Sequence, residues 1–314
     1  MSIPFVRDMA FCYGAAEQVS PLIRRLVADN PGPFTFTGTG TYIIGSAEVA
    51  VIDPGPAQPA HLDALKQAVA GERVTAILVT HTHLDHSPLS AALAEWAGAT
   101  IYGLPAPRLE EAAIRLDEGH DRSFRPHALL ADGDRISGPG WTLEAVATPG
   151  HASNHLCYAL IEENALFSGD HVMGWSTTVV SPPDGDMAEY LQSLDKVAAR
   201  DFSTLWPTHG PPVTEPGPFL AAYRDHRLER EAQVLAQLAE GRRRIPEMVA
   251  EIYAEVDPRL HPAAAHSVLA HLIKLVREGR AAADGPPGPA SRYELAGSPE
   301  IRRTSAPTRR QFSP

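Results

Sequence analysis

From Phe34 to about Leu205, short apolar runs alternate with stretches of helical periodicity. The runs Thr41–Gly45, Val49–Asp53, Thr75–Thr80, Thr100–Gly103, Leu143–Thr148, His155–Ile161 and Leu166–Ser168 read as strands, and Thr204–Trp206 as one more. Helical spacing covers Pro59–Ala70, Pro88–Ala97, Pro105–Leu116 and Met187–Ala199. Strands interleaved with helices predict an α/β (α+β) layered fold. The strands lack the long Val/Ile blocks of a doubly wound parallel sheet, and tight turns across Gly45–Ala47 and Glu162–Asn164 join some of them. A mixed-sheet sandwich flanked by helices is therefore expected.

Gly210-Pro-Pro and Glu215-Pro-Gly-Pro punctuate the chain next. Helical patterns follow at Phe219–Glu240, Pro246–Val256 and His261–Gly279. Two short segments, Arg280–Ala283 and Ser291–Leu295, are placed to pair across Gly285–Pro289. Three helices and a hairpin predict a winged-helix unit. The expected division is a catalytic domain over 1–215, a winged-helix-like domain over 216–297 and a disordered Ser/Thr/Pro/Arg-rich tail over 298–314.

The 314 residues are 44% apolar and 21% charged, which suits a globular protein. Cys12 and Cys157 are too few for a disulfide framework or a Cys-rich zinc module. The start MSIPFVRDMA has no apolar signal core and no run is long enough to span a bilayer, so a cytoplasmic, membrane-free protein is expected. A net charge of −11 disfavours broad attraction to nucleic acid or anionic membrane.

The dense chemical signal is His81-Thr82-His83-Leu84-Asp85-His86, after one apolar run and before a helix that Ser87-Pro88 is expected to open. Four ligands within six residues cannot all reach one ion, whereas His81 with His83 and Asp85 with His86 can serve two neighbouring ions. Further ligands are expected at other strand ends: His151 in Thr-Pro-Gly-His, Asp170 in Phe-Ser-Gly-Asp and His209 in Trp-Pro-Thr-His-Gly. The remaining histidines His61, His120, His127, His226, His261, His266 and His271 have no partner at ligand spacing and read as surface or core.

This set resembles the metallo-β-lactamase-fold hydrolase superfamily over about residues 20–212. The resemblance implies an αββα sandwich with a dinuclear site, one ion on His81, His83 and His151, the other on Asp85, His86 and His209, with Asp170 bridging. Asp53, in Val51-Ile-Asp-Pro-Gly, matches a family position that orients a ligand, and His155 and His171 flank the ligands as supporting or pocket residues. Thr177 and Thr178 fall in a loop that could line the substrate cleft. The stretch from Gly169 to Val179, with His226-Arg-Leu-Glu-Arg-Glu and the helical appendage, is similar to the lactamase-β-like protein 2 subgroup, whose known members include an endoribonuclease acting on single-stranded RNA.

Five imidazoles and two carboxylates suit two divalent ions, zinc foremost. Two such ions lower the pKa of a shared water and give a hydroxide nucleophile at neutral pH, with Asp85 as proton acceptor. The expected activity is hydrolysis of a small ester, thioester or lactone. The alternatives are an endoribonuclease or phosphodiesterase acting on RNA, for which Arg242-Arg243-Arg244 would supply phosphate contacts, and a non-catalytic metal-bearing scaffold. A homodimer through the winged-helix unit is a further expectation. A redox role is disfavoured because His83 stands where oxygen-reducing diiron relatives typically carry a carboxylate.

Overall fold

The computed structural model describes residues 3–108 and 119–297. The tail over 298–314, and the part of the expected Pro105–Leu116 helix beyond Arg108, lie outside them. The chain divides into two compact units within one long helix, after His226.

The first unit holds two sheets. In the larger, strands β1 (Glu17–Gln18), β2 (Ile23–Val27), β3 (Gly40–Ser46), β4 (Glu48–Ile52), β5 (Arg73–Leu78), β6 (Thr100–Gly103) and β7 (Ala128–Leu129) lie side by side in chain order. Pairing is antiparallel from β1 to β4 and parallel from β4 to β7. The second sheet runs in the order β12 (Thr204–Pro207), β11 (Ala165–Gly169), β10 (Leu156–Leu160), β9 (Trp141–Ala147) and β8 (Arg135–Gly138), with only β11–β12 parallel.

Strand alternation explains the layering. Tyr42, Ile44, Ala50, Ile52, Ala76 and Leu78 point from the first sheet into a core shared with Leu143, Ala145, Leu156, Tyr158 and Phe167 of the second. The intervening Ile43, Val49, Val51 and Ile77 face the other way, onto Leu65 and Val69 at α1 (Pro59–Ala68) and Leu93 and Ala94 of α2 (Ser90–Ala97). With both faces covered, these strands read as near-continuous apolar runs. Helix α3 (Met187–Ala198) is tied to the second sheet's loops by Ser193 Oγ donating to the Pro149 carbonyl and Tyr190 Oη to that of His171. The architecture is the αββα sandwich.

Three local expectations are corrected. The sheet begins before Phe34, because Arg24 and Arg25 interrupt the apolar run of β2 while remaining partnered, Arg24 with Glu72 at 2.7 Å and Arg25 with Glu17 at 3.4 Å. Ser87 does not cap α2, which starts at Ser90 without a side-chain cap; Ser87 Oγ instead donates to Asp121 Oδ2 at 3.2 Å. Pro105–Arg108 are not helical.

The long helix α4 (Pro216–Ala239) leads into α5 (Ile245–Ile252), α6 (His261–Arg277) and the antiparallel pair β13 (Ala281–Ala283) and β14 (Tyr293–Leu295). Val234, Leu238, Met248, Val249, Val268, Leu272, Leu275 and Tyr293 form a separate core there. Helix α5 ends at Ile252, four residues before the expected Val256, and Asp257 Oδ1 accepts from the Arg259 N–H of a following 3₁₀ turn. The second unit is a winged helix.

Candidate metal centre

All seven candidate ligands stand on loops that leave strand ends. His81, His83, Asp85 and His86 occupy the loop after β5, His151 follows β9, Asp170 follows β11 and His209 follows β12. Parallel pairing of β11 with β12 brings Asp170 and His209 to the same end of the second sheet. At Gly169 the backbone is left-handed, φ +52°, and a Cβ would stand 2.6 Å from His155 Nε2. Only glycine allows Asp170 to turn inward there.

The ligand atoms fall into three interlocking groups, each within 4.8 Å: His81, His83 and His151; His81, His86 and Asp170; Asp85, His86 and His209. His83 Nδ1 lies 2.8 Å from His81 Nε2 and 3.3 Å from His151 Nε2. Asp85 Oδ2 lies 3.2 Å from His86 Nε2 and 3.1 Å from His209 Nε2. Asp170 touches both halves, Oδ1 at 3.4 Å from His209 Nε2 and Oδ2 at 3.8 Å from His151 Nε2.

The second nitrogens are held from behind. His86 Nδ1 meets Asp53 Oδ2 at 2.8 Å, His81 Nδ1 meets Thr80 Oγ1 at 3.0 Å, His151 Nδ1 meets the Val179 carbonyl at 2.7 Å and His209 Nδ1 the Gly38 carbonyl at 3.2 Å. This fixes which ring nitrogen faces inward, as in metal centres. His86 Nε2 and Asp170 Oδ1 are buried without a properly aligned hydrogen bond. Buried polar atoms of that kind, in a cluster of imidazoles and carboxylates, fit a divalent cation.

The charges divide the cluster. Burial raises the Asp85 carboxyl, but the His86 charge and the hydrogen bond from His209 override it and hold it well below the usual carboxylate range. Asp170 is likewise held down, burial being outweighed by His209 and His86. Burial opposes the charged form of His209, yet Asp170 and Asp85 push it up to about 10; His86 rises well above the ordinary value for the same reason. On the other side burial, with His86, His83 and His151 nearby, drives His81 well below it.

Among the supporting residues, Asp53 accepts from Thr80 N and Oγ1, each at 2.7 Å, as well as facing His86. His155 Nε2 accepts from the Asp170 N–H at 3.2 Å while Nδ1 meets Thr148 Oγ1 at 2.8 Å, so it braces the Asp170 turn. His171 is fully buried, its ring against Tyr190, and burial lowers it to about 3. The Thr178 hydroxyl is taken up by the carbonyls of Asp170 and His171, and Thr177 is half-buried. His171 and Thr178 thus lie inside the wall of the site.

Three contributors escaped the sequence reading. Thr39 Oγ1 donates to Asp85 Oδ2 at 3.1 Å and is itself gripped by Asn30. His120 packs its ring 4.7 Å from that of His83, with Nδ1 at 2.9 Å from Thr82 Oγ1 and Nε2 at 3.1 Å from Asp184 Oδ2. His61 Nε2 meets Thr41 Oγ1, which donates to the Asp53 carbonyl. Isolated Thr, Asn and His residues give no local spacing signal.

Comparison with known proteins identifies the family. The model of the metallo-beta-lactamase superfamily matches residues 35–209, and that of the beta-lactamase associated winged helix domain matches 245–287. The chain is 34% identical over 231 residues to an atrochrysone carboxyl ACP thioesterase of Aspergillus chevalieri, covering 73% of this chain and 69% of that one. It is 30% identical over 272 residues to a beta-lactamase-like protein 2 homolog of Caenorhabditis elegans, covering 84% and 87%. A beta-lactamase domain protein from Burkholderia ambifaria superposes with a TM-score of 0.75 at 24% identity, over 92% of this chain and 96% of that one. The chain belongs to the metallo-β-lactamase superfamily, as a metal-dependent hydrolase with a winged helix after its catalytic fold.

Proposed function

We propose that this hydrolase cleaves a small acyl substrate, a thioester foremost and an ester or lactone by the same chemistry, at a centre for two zinc ions. One observation carries the acyl reading over phosphoryl transfer. The four ligand-bearing segments, 80–87, 148–155, 169–180 and 206–213, and the stretch 30–39 that carries Thr39, contain no lysine or arginine. A phosphodiester brings charge that such sites meet with cationic side chains. Two arginines of the Arg242–Arg244 run are also occupied: Arg242 pairs with Glu240 and with Glu251 at 3.1 Å, and Arg243 with Glu294. The thioesterase name of one relative adds support.

Two bound ions would make water nucleophilic at neutral pH and take up charge on the scissile carbonyl oxygen. His81, His83 and His151 would hold one ion and Asp85, His86 and His209 the other, and Asp170, with Oδ1 toward His209 and Oδ2 toward His151, would serve both. Thr39, His86 and His209 fix Asp85 Oδ2, which leaves Oδ1 to receive the proton released by water. Asp53 and Thr80 keep His86 and His81 aimed. The test is a panel of thioesters, lactones, phosphodiesters and short RNAs offered to the metal-loaded protein. Turnover of acyl substrates that is lost on chelation and restored by zinc is expected; cleavage of RNA alone would overturn the reading.

A further inference from the structure

Beside His209, two aromatic rings stack outside every core cluster. Phe36 and Trp175 have ring centroids 4.7 Å apart and planes within 15°. Both are half-buried, and Phe34 in the same loop is exposed. Phe36 has φ +56°, a left-handed backbone that a bulky residue rarely adopts. Paired hydrogen bonds between Gly32 and Phe36 hold it there, with Thr35 Oγ1 donating to the Asn30 carbonyl.

Phe36 lies two residues before Gly38 and three before Thr39, and Trp175 packs against Gly210, the neighbour of His209. The Gly38 carbonyl meets His209 and Thr39 meets Asp85 on the Phe36 side. On the other side a Cβ at Gly210, next to His209, would stand 2.9 Å from Trp175 Cδ1, so only glycine lets the indole lie so near. The indole Nε1 is buried without a hydrogen-bond partner. A tryptophan kept for structure alone usually satisfies that N–H. A strained phenylalanine and an unsatisfied tryptophan, stacked beside ligand-bearing segments that contain no lysine or arginine, suit a role in recognition.

We infer that the Phe36–Trp175 stack is the acyl-binding platform, and that the group on the acyl side of the scissile bond is a planar aromatic. This rests on the acyl-hydrolase reading. A flat ring extends an offset stack at little cost in conformational freedom, whereas a flexible alkyl chain must be ordered to cover the same surface.

The full-length zinc-loaded protein is to be assayed with 2-naphthoyl and acetyl thioesters of N-acetylcysteamine, and binding of 2-naphthoate measured by calorimetry. The parent is expected to prefer the naphthoyl thioester. In Phe36→Ala and Trp175→Ala the ratio of kcat/KM for naphthoyl over acetyl should fall at least about tenfold with zinc content unchanged, and Trp175→Phe should restore most of it. An unchanged ratio in both alanine variants, or no binding of 2-naphthoate to the parent, overturns the platform. Naphthoate binding that needs both rings, without turnover of any thioester, upholds the platform and overturns the acyl-hydrolase reading instead.

Discussion

Asp53 Oδ2 stands 2.8 Å from His86 Nδ1, although Asp53 itself is held in a left-handed backbone conformation at φ +48°. The same carboxylate accepts from Thr80 N and Oγ1 and is met by Thr208 Oγ1 at 3.3 Å. One strained, buried residue therefore joins the ends of β4, β5 and β12 and aims a candidate ligand. Strain of this kind persists where surrounding bonds over-determine it.

Replacing Asp53 by Asn keeps the volume and tolerates φ > 0, but removes the charge behind His86. Affinity for the second zinc ion should fall about 10- to 100-fold, as for other outer partners of histidine ligands. Competition with a zinc chelator measures this. A change below about threefold would mean that His86 needs no carboxylate behind it.

Asp85→Asn should reduce thioester turnover at least about 100-fold, the scale of losing a positioned proton acceptor. The fold should survive, because Asp85 contributes to the site and not to any core cluster. Circular dichroism and zinc content separate the two effects, with close to one ion expected to stay on the His81, His83 and His151 side. Turnover within tenfold of the parent would remove Asp85 from the chemistry.

Much of this site was legible because four candidate ligands crowd into His81–His86, and the other three each follow a strand in a turn. Asp53 stood out through Asp-Pro-Gly. What the sequence hid are partners that meet only in space: Asn30 and Thr39 behind Asp85, and Asp184 and His120 behind His83, the latter pair 64 residues apart. Strand β2 was hidden for a similar reason. Its two arginines look polar until Glu17 and Glu72 neutralise them. Ser87 and Pro88 offered a cap in sequence, but the Asp121 carboxylate competes for the serine hydroxyl.

Metal uptake should depend on pH unequally in the two halves. Without metal, Asp170 and Asp85 push His209 up to about 10, against the effect of burial, so it carries a proton at pH 7. His86 is raised in the same direction, and His81 is driven well below its ordinary value. A ligating imidazole must lose its proton, so the Asp85, His86 and His209 side should bind zinc more weakly as pH falls below about 10, approaching tenfold per unit for each proton displaced. Calorimetry at pH 7 in buffers of differing ionisation enthalpy should find about one to two protons released with the second equivalent of zinc. The first equivalent should release fewer. The metal-free fold should respond in the same sense: a raised His209 contributes stability that is full below the unfolded value of about 6.5 and is lost as pH rises through about 10. Its melting temperature should therefore decline between pH 7 and 10, and equal proton release at both steps would contradict the division of charge.

The winged helix separates acyl from RNA chemistry most sharply. Arg242 is tied to Glu240 and Glu251, while Arg243 is tied to Glu294, which is buried. Removing Arg243 would strand that carboxylate at a cost of about 1–3 kcal/mol, so Arg242→Ala/Arg244→Ala is the cleaner variant and the triple alanine variant its companion. Three free phosphate contacts, once neutralised, would flatten log affinity against log salt for single-stranded RNA by roughly 2 units, and two contacts by about 1.4. Arg242 is already engaged with Glu240 and Glu251 and supplies far less, so the double variant should lose the worth of one contact at most, a change in slope of no more than about 0.7. Thioester turnover should stay within about twofold, since neither Arg242 nor Arg244 lies on a segment that carries a candidate ligand. Binding at two salt concentrations, with melting temperature monitored for the Arg243 companion, checks both expectations. Strong, salt-sensitive RNA cleavage by the parent that collapses in the double variant would make the run a phosphate track and the protein a ribonuclease.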